Sequence, residues 1–118
     1  MLSVIVPVYN ERRTIDVLLQ KVRAVPIEKE IIVVDGHSID GTVAILREQE
    51  RCLDTRVIYQ PRRNGRGSAI KEGLAVARGD FVIFQDADLE LDPNDYPALL
   101  APIERGEADV VLMSSIPR

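Results

Sequence analysis

The sequence contains one cysteine, one histidine, no tryptophan and only 4% aromatic residues. Cys52 has no partner for an internal disulfide, so a reducing compartment is the expectation. His37 cannot be assigned an acid partner from sequence and reads as a loop residue rather than a catalytic base. Cys52, whose only candidate base is that histidine, reads as an inert small side chain. Long apolar runs are also missing. Ile31 to Val34 and Val110 to Met113 fall far short of the ~18 residues a membrane-spanning helix needs. Met1 to Asn10 has neither a positive charge ahead of its apolar run nor a small-residue cleavage pattern, so it does not read as a secretory signal. Basic charge is not in excess. Fifteen Lys and Arg stand against 19 Asp and Glu, a net charge of −4, which argues against a nucleic-acid partner. The basic residues cluster once, at Arg62, Arg63, Arg66 and Lys71.

A length of 118 residues, 46% of them hydrophobic, suits one domain over residues 1–118 with one core, soluble and intracellular. Short segments rich in Val, Ile or Phe recur at Leu2 to Val6, Glu30 to Val34, Arg56 to Tyr59, Asp80 to Phe84 and Asp109 to Met113. None alternates apolar with polar, the pattern of strands buried on both faces. Between them, Ile15, Leu18, Leu19 and Val22 have helical spacing, as do Ile70, Gly73, Leu74 and Ala77, and Tyr96, Leu99, Leu100 and Ile103. Gly41 to Glu50 is a weaker helical stretch. Asp40 and Asp92 sit where N-caps belong, Pro93 suits a first helical position, and Gly79 and Gly106 suit helix stops. The expectation is an α/β fold: an open, mostly parallel sheet with helices on both faces.

In such sheets ligands bind beyond the carboxyl ends of the strands, and the unusual polar residues of this chain follow strands. Asp86-Ala87-Asp88 leaves the fourth strand. Two carboxylates one residue apart repel unless a cation lies between them. A hard divalent ion, Mg²⁺ or Mn²⁺, relieves that repulsion and completes its shell with phosphate oxygens, Glu90 being a further candidate ligand. The alternative is that one aspartate caps a turn and the other is solvated. Asp35, ending the second strand, accepts hydrogen bonds from a ribose or base, or else Asp35 or Ser38 closes the turn before the helix at Asp40. Asn64-Gly65-Arg66-Gly67-Ser68 opens the third helix, either as an anion site formed by the helix terminus and Arg66 or as a turn with a solvated arginine. It is neither a dinucleotide fingerprint nor a phosphate loop.

Together, VIVPVYNE, VVDGHSIDGT, NGRGSAIKEGLAVARGD and FQDADLELDPNDYPALL resemble, in order and spacing, the inverting nucleotide-sugar glycosyltransferases of family 2, which have the GT-A fold. The last run is most similar to the dolichyl- and polyprenyl-phosphate mannosyl- and glucosyltransferases. The resemblance implies that Pro7, Tyr9 and Glu11 hold the base and ribose, and that Val34 and Asp35 make further nucleotide contacts. It assigns Asp86, Ala87 and Asp88 to a metal–diphosphate motif, with Glu90 as an added ligand. Arg66 joins this set as an anion contact. The implied partners are a nucleotide diphosphate sugar of the GDP-mannose or UDP-glucose type and a polyprenyl-phosphate acceptor at the cytoplasmic face of a membrane, reached without a transmembrane segment.

Two departures stand out. The family's Asp-Asp-Gly-Ser loop here reads Asp35-Gly36-His37-Ser38, and its Gly-Ser-Arg reads Ser114-Ser115-Ile116. The resemblance covers about the first half of a family catalytic domain, so no catalytic base is assigned. A catalytically inactive or partner-dependent nucleotide-binding module is the alternative, and self-association through uncovered apolar surface is expected. A phosphoacceptor receiver domain is excluded, because Pro7-Val8-Tyr9 and Gln60-Pro61 stand where it needs its acids.

Overall fold

The computed structural model describes residues 1–87 and 92–104. Strands β1 (Leu2–Val8), β2 (Lys29–Asp35), β3 (Thr55–Tyr59) and β4 (Phe81–Phe84) alternate with helices α1 (Ile15–Ala24), α2 (Thr42–Gln49) and α3 (Gly65–Val76). A short 3₁₀ turn, Pro93–Asp95, leads into α4 (Tyr96–Glu104). Every pairing is parallel, and the strands lie in the order β3-β2-β1-β4. Among the described residues no helix is long and apolar enough to cross a membrane.

The missing polar alternation is explained by cover on both sheet faces. Val4, Val6, Val8, Ile31, Val33 and Ile83 pack against Ile15, Leu18, Leu19 and Val22 of α1, with Leu46 of α2 and Tyr96 and Leu100 of α4 completing that layer. On the opposite face Ile5, Ile32 and Val34 meet Ala69 of α3, flanked by Val76, Ala77, Val82 and Phe84. Both faces therefore exclude water, and apolar residues at successive positions each find a core.

Pro7 lies in a central strand, where a missing N–H normally breaks the ladder. Its position removes the penalty. Val8 O accepts from Gly36 N on the β2 side and Ile5 O accepts from Gln85 N on the β4 side, so the intervening Pro7 faces β4. The β1–β4 register ends at Ile5–Phe84, so Pro7 stands just past the last pair, where the ladder stops rather than being interrupted. The two strand ends separate here, and space opens between them.

Three expectations of local detail change. Gly41, at φ 102°, is the N-cap residue of α2. Asp40 acts one residue earlier, accepting from the Thr42 N–H at 3.0 Å and from the Arg12 N–H at 3.3 Å. Gly79 does not stop α3, which ends at Val76 with Ala77 extended. A Cβ there would lie 2.6 Å from Ser3 Oγ and 2.7 Å from Met1 O, so Gly79 permits a close chain crossing. The inward face of α3 is Ala69 and Gly73, whereas Leu74 is exposed. The fifth strand at 109–113, Gly106, and the side chains of Leu99 and Ile103 lie outside the described residues.

Candidate functional site

The chain runs from β1 outward through β2 to β3, then returns to place β4 on the other side of β1. The gap between the carboxyl ends of β1 and β4 is thus the switch point where open parallel sheets bind ligands. A cleft of about 260 Å³ lies there, lined by Pro7, Val8, Tyr9, Glu11, Gly36, Arg63, Gly65, Arg66, Ala69, Asp86 and Ala87.

The β1 wall is held by bonds between loops. Asn10, at φ 52°, turns the chain after the strand. Its N–H donates to Ser38 Oγ at 2.8 Å, and its Oδ1 accepts from the Ile39 N–H at 2.9 Å. The Glu11 N–H donates to Thr42 Oγ1 at 3.1 Å, and Glu11 O accepts the N–H of Ile15 as α1 begins. Thr14 Oγ1 lies within hydrogen-bond distance of both Glu11 Oε2 and Ala87 O, tying this wall to the β4 loop. Asp40 anchors the adjacent turn. Burial opposes its ionisation, but hydrogen bonds from the Thr42 hydroxyl and the Thr42 and Arg12 N–H groups prevail and hold its carboxyl below the usual range. The half-buried Tyr9 ring carries the Arg63 guanidinium 4.1 Å from its centroid, a cation–π contact.

The opposite wall combines α3 and β4. The N-cap of α3, Asn64, makes no capping bond; its side chain donates to Ser68 Oγ instead. Asn64 thus caps none of the first-turn N–H groups of α3, whose Gly65 and Arg66 line the cleft, and a helix N-terminus carries the positive end of the helix dipole. Arg66 Nε donates to Asp86 Oδ1 at 2.9 Å. Behind Asp86, buried Gln85 donates from Nε2 to Asp86 O, and its Oε1 accepts from the Tyr96 hydroxyl at 2.8 Å. Tyr96 is a dependable donor, because burial pushes its phenol pKa well above the ordinary value.

Of the residues proposed from sequence, Pro7, Tyr9, Glu11, Arg66, Asp86 and Ala87 meet in this cleft. Val34 lies in the core beneath α3. Asp35 is buried and closes its own loop, accepting from the His37 and Ser38 N–H groups at 3.1 Å and from Ser38 Oγ at 2.6 Å. Asp88 and Glu90 lie outside the described residues. Arg63, read in sequence only as one member of the basic cluster after the third strand, also lines the cleft. Gly36 had been noted only as a lost acid, yet it forms part of the cleft wall.

Among the described residues no three His, Cys, Asp or Glu side chains gather as a metal cluster. Mg²⁺ and Mn²⁺ are nevertheless commonly held by one or two carboxylates together with substrate phosphates. Asp86, a hard oxygen donor largely buried at the cleft wall beside an anion-favouring helix terminus, suits that arrangement.

Relatives share this architecture. Dodecaprenyl-phosphate galacturonate synthase of Rhizobium johnstonii is 32% identical over 117 residues, covering 94% of this chain and 35% of that protein. Undecaprenyl-phosphate 4-deoxy-4-formamido-L-arabinose transferase of Proteus mirabilis is 38% identical over 110 residues, covering 88% and 34%. The chain thus spans about a third of the length of these relatives. The mannosyltransferase PcManGT of Pyrobaculum calidifontis, solved with GDP-Man and Mn²⁺, superposes with a TM-score of 0.73 at 31% identity, over 82% of this chain and 30% of that one. The parallel α/β fold is that of GT-A glycosyltransferases. The profile of Glycosyl transferase family 2 matches residues 3–118, nearly the whole length on which the cleft is built, and the chain belongs to that family.

Proposed function

We propose that this chain forms the donor-binding part of a glycosyltransferase that moves a hexose from a nucleotide diphosphate sugar to a polyprenyl phosphate at the cytoplasmic face of a membrane, with the protein attached peripherally. One observation carries the reading. The cleft at the strand switch point has an aromatic face, Tyr9, on one wall and an acid, Asp86, with a helix N-terminus on the other.

Each group has a matching part of the donor. Tyr9 offers a ring on which a nucleobase stacks, in the place where Arg63 now lies. Glu11 follows on the same wall, within reach of ribose hydroxyls. The first turn of α3 and Arg66 face the diphosphate with N–H groups and a guanidinium. A divalent cation held by Asp86, Asp88 and Glu90 would supply Lewis-acid neutralisation of the charge that develops on the departing diphosphate. The solved relative with GDP-Man and Mn²⁺ supports a divalent ion and a nucleotide sugar. The relatives named for dodecaprenyl and undecaprenyl phosphate support the acceptor class. Such an acceptor is chemically apt. A phosphate monoester has a second pKa of about 6, so at neutral pH it is already an anionic nucleophile and needs no general base.

Calorimetric titration of GDP, UDP and their sugars, with and without Mn²⁺, tests the reading. Metal-dependent binding is expected, weakened about tenfold or more by Asp86→Ala and by Asp88→Ala. Affinity unchanged in both variants would remove the metal–diphosphate role from these residues. A nucleotide-binding module without turnover is the second reading, favoured by Gly36 where the family usually has a second acid. Transfer of labelled sugar to a polyprenyl phosphate by the chain would refute it.

A further inference from the structure

Asp86 is not waiting in the cleft as an isolated carboxylate. Its Oδ1 accepts from Arg66 Nε at 2.9 Å, and the pair joins β4 to the first turn of α3 across the site. The two partners differ in freedom. The Asp86 side chain is only 14% exposed and is backed by Gln85, whereas Arg66 is 49% exposed. Gly65 and Gly67 flank Arg66, and a Cβ on either would meet nothing within 4 Å, so open space surrounds its root. Among the described residues its hydrogen bond to Asp86 is made through Nε, and the two Nη groups form a donor fork of the kind that grips phosphate bidentately.

We propose that Arg66 is an exchangeable counter-ion. It neutralises Asp86 while the cleft holds no donor, then passes to the donor's diphosphate and releases the carboxylate for the metal. Resting on the donor reading above, this assigns Arg66 a second task besides anion contact: it makes metal capture conditional on the donor. A divalent cation approaching Asp86 alone must displace or lie beside a guanidinium, which repels it. A diphosphate draws that guanidinium away and contributes oxygens of its own. Metal and nucleotide therefore favour each other reciprocally, with Arg66 as the shared element.

Arg66→Gln in the full chain separates this role from a merely structural one, because the two half-reactions shift in opposite directions. Mn²⁺ alone, titrated by its electron paramagnetic resonance signal without nucleotide, is expected to bind about three- to tenfold more tightly to the variant. GDP or UDP alone, titrated calorimetrically in EDTA, is expected to bind more weakly by a similar factor. Arg66→Lys keeps the charge but not the fork, and is expected to keep Mn²⁺ binding near wild type while weakening nucleotide. A fall in both affinities in Arg66→Gln would show a structural role and overturn the proposal, as would unchanged Mn²⁺ binding. If wild type binds neither nucleotide even with Mn²⁺, the proposed function and this inference fail together. If wild type binds normally and only the opposite shifts are missing, the inference alone fails.

Discussion

Asp35 shows how a residue at a strand end can shape its own loop. The end of β2 in a doubly wound sheet commonly presents an acid to a ribose, and that was one of its two readings. In the fold its Oδ2 accepts from the His37 and Ser38 N–H groups and its Oδ1 from the Ser38 hydroxyl. The carboxylate shapes the turn in which His37, at φ 71°, follows Gly36 into the cleft wall. Replacing it strips a buried turn of its side-chain acceptor. Asp35→Ala is expected to lower unfolding stability by about 2–4 kcal/mol, measured by urea denaturation. A loss below about 0.5 kcal/mol would mean that the loop holds its shape without those bonds. The turn-closing part of Ser38 was legible in sequence, three residues beyond Asp35 and able to donate from both backbone and side chain; which carboxylate oxygen each donor meets was not.

At the level of elements, α3 departs most from its sequence pattern. Spacing selected Ile70, Gly73, Leu74 and Ala77 as its inner face, because larger apolar residues carry more weight in a periodicity argument. The helix crosses the sheet so closely that small residues must face inward. A Cβ on Gly73 would lie 2.7 Å from Ile5 Cγ2, closer than such contacts allow, while Leu74 points outward. Gly73→Ala therefore overpacks the α3–β1 contact. An expected loss of about 1–3 kcal/mol by chemical denaturation follows despite alanine's better helix propensity. A stabilised variant would mean that the helix can lift away at no cost. Because the same helix carries Gly65 and Arg66 at its amino end, this close crossing also positions that first turn at the cleft wall.

The molecule as a whole couples its last described helix to the cleft. Tyr96 of α4 is fully buried and donates to Gln85, which in turn donates to the carbonyl of Asp86. Tyr96→Phe keeps the ring and removes one bond of this relay. It is expected to cost about 1–2 kcal/mol of stability and to weaken Mn²⁺-dependent nucleotide binding, read by denaturation and calorimetry on the same preparation. Unaltered binding at reduced stability would confine Tyr96 to the core. The relay was not legible in sequence, since Gln85 and Tyr96 look like an ordinary strand end and an ordinary apolar helix position.

The linear pattern sufficed for the alternation of strands and helices, the parallel sheet covered on two faces and the position of polar loops after strands, because each depends on local periodicity and on burial of successive side chains. Family membership was legible too, in four ordered motifs. Tertiary structure alone decided the strand order that brings β1 and β4 together and the contacts of Arg63 with Tyr9 and Arg66 with Asp86. Those depend on distances between residues far apart in the chain, and a charged side chain's partner is set by whichever opposite charge or polar group packing brings within about 3 Å.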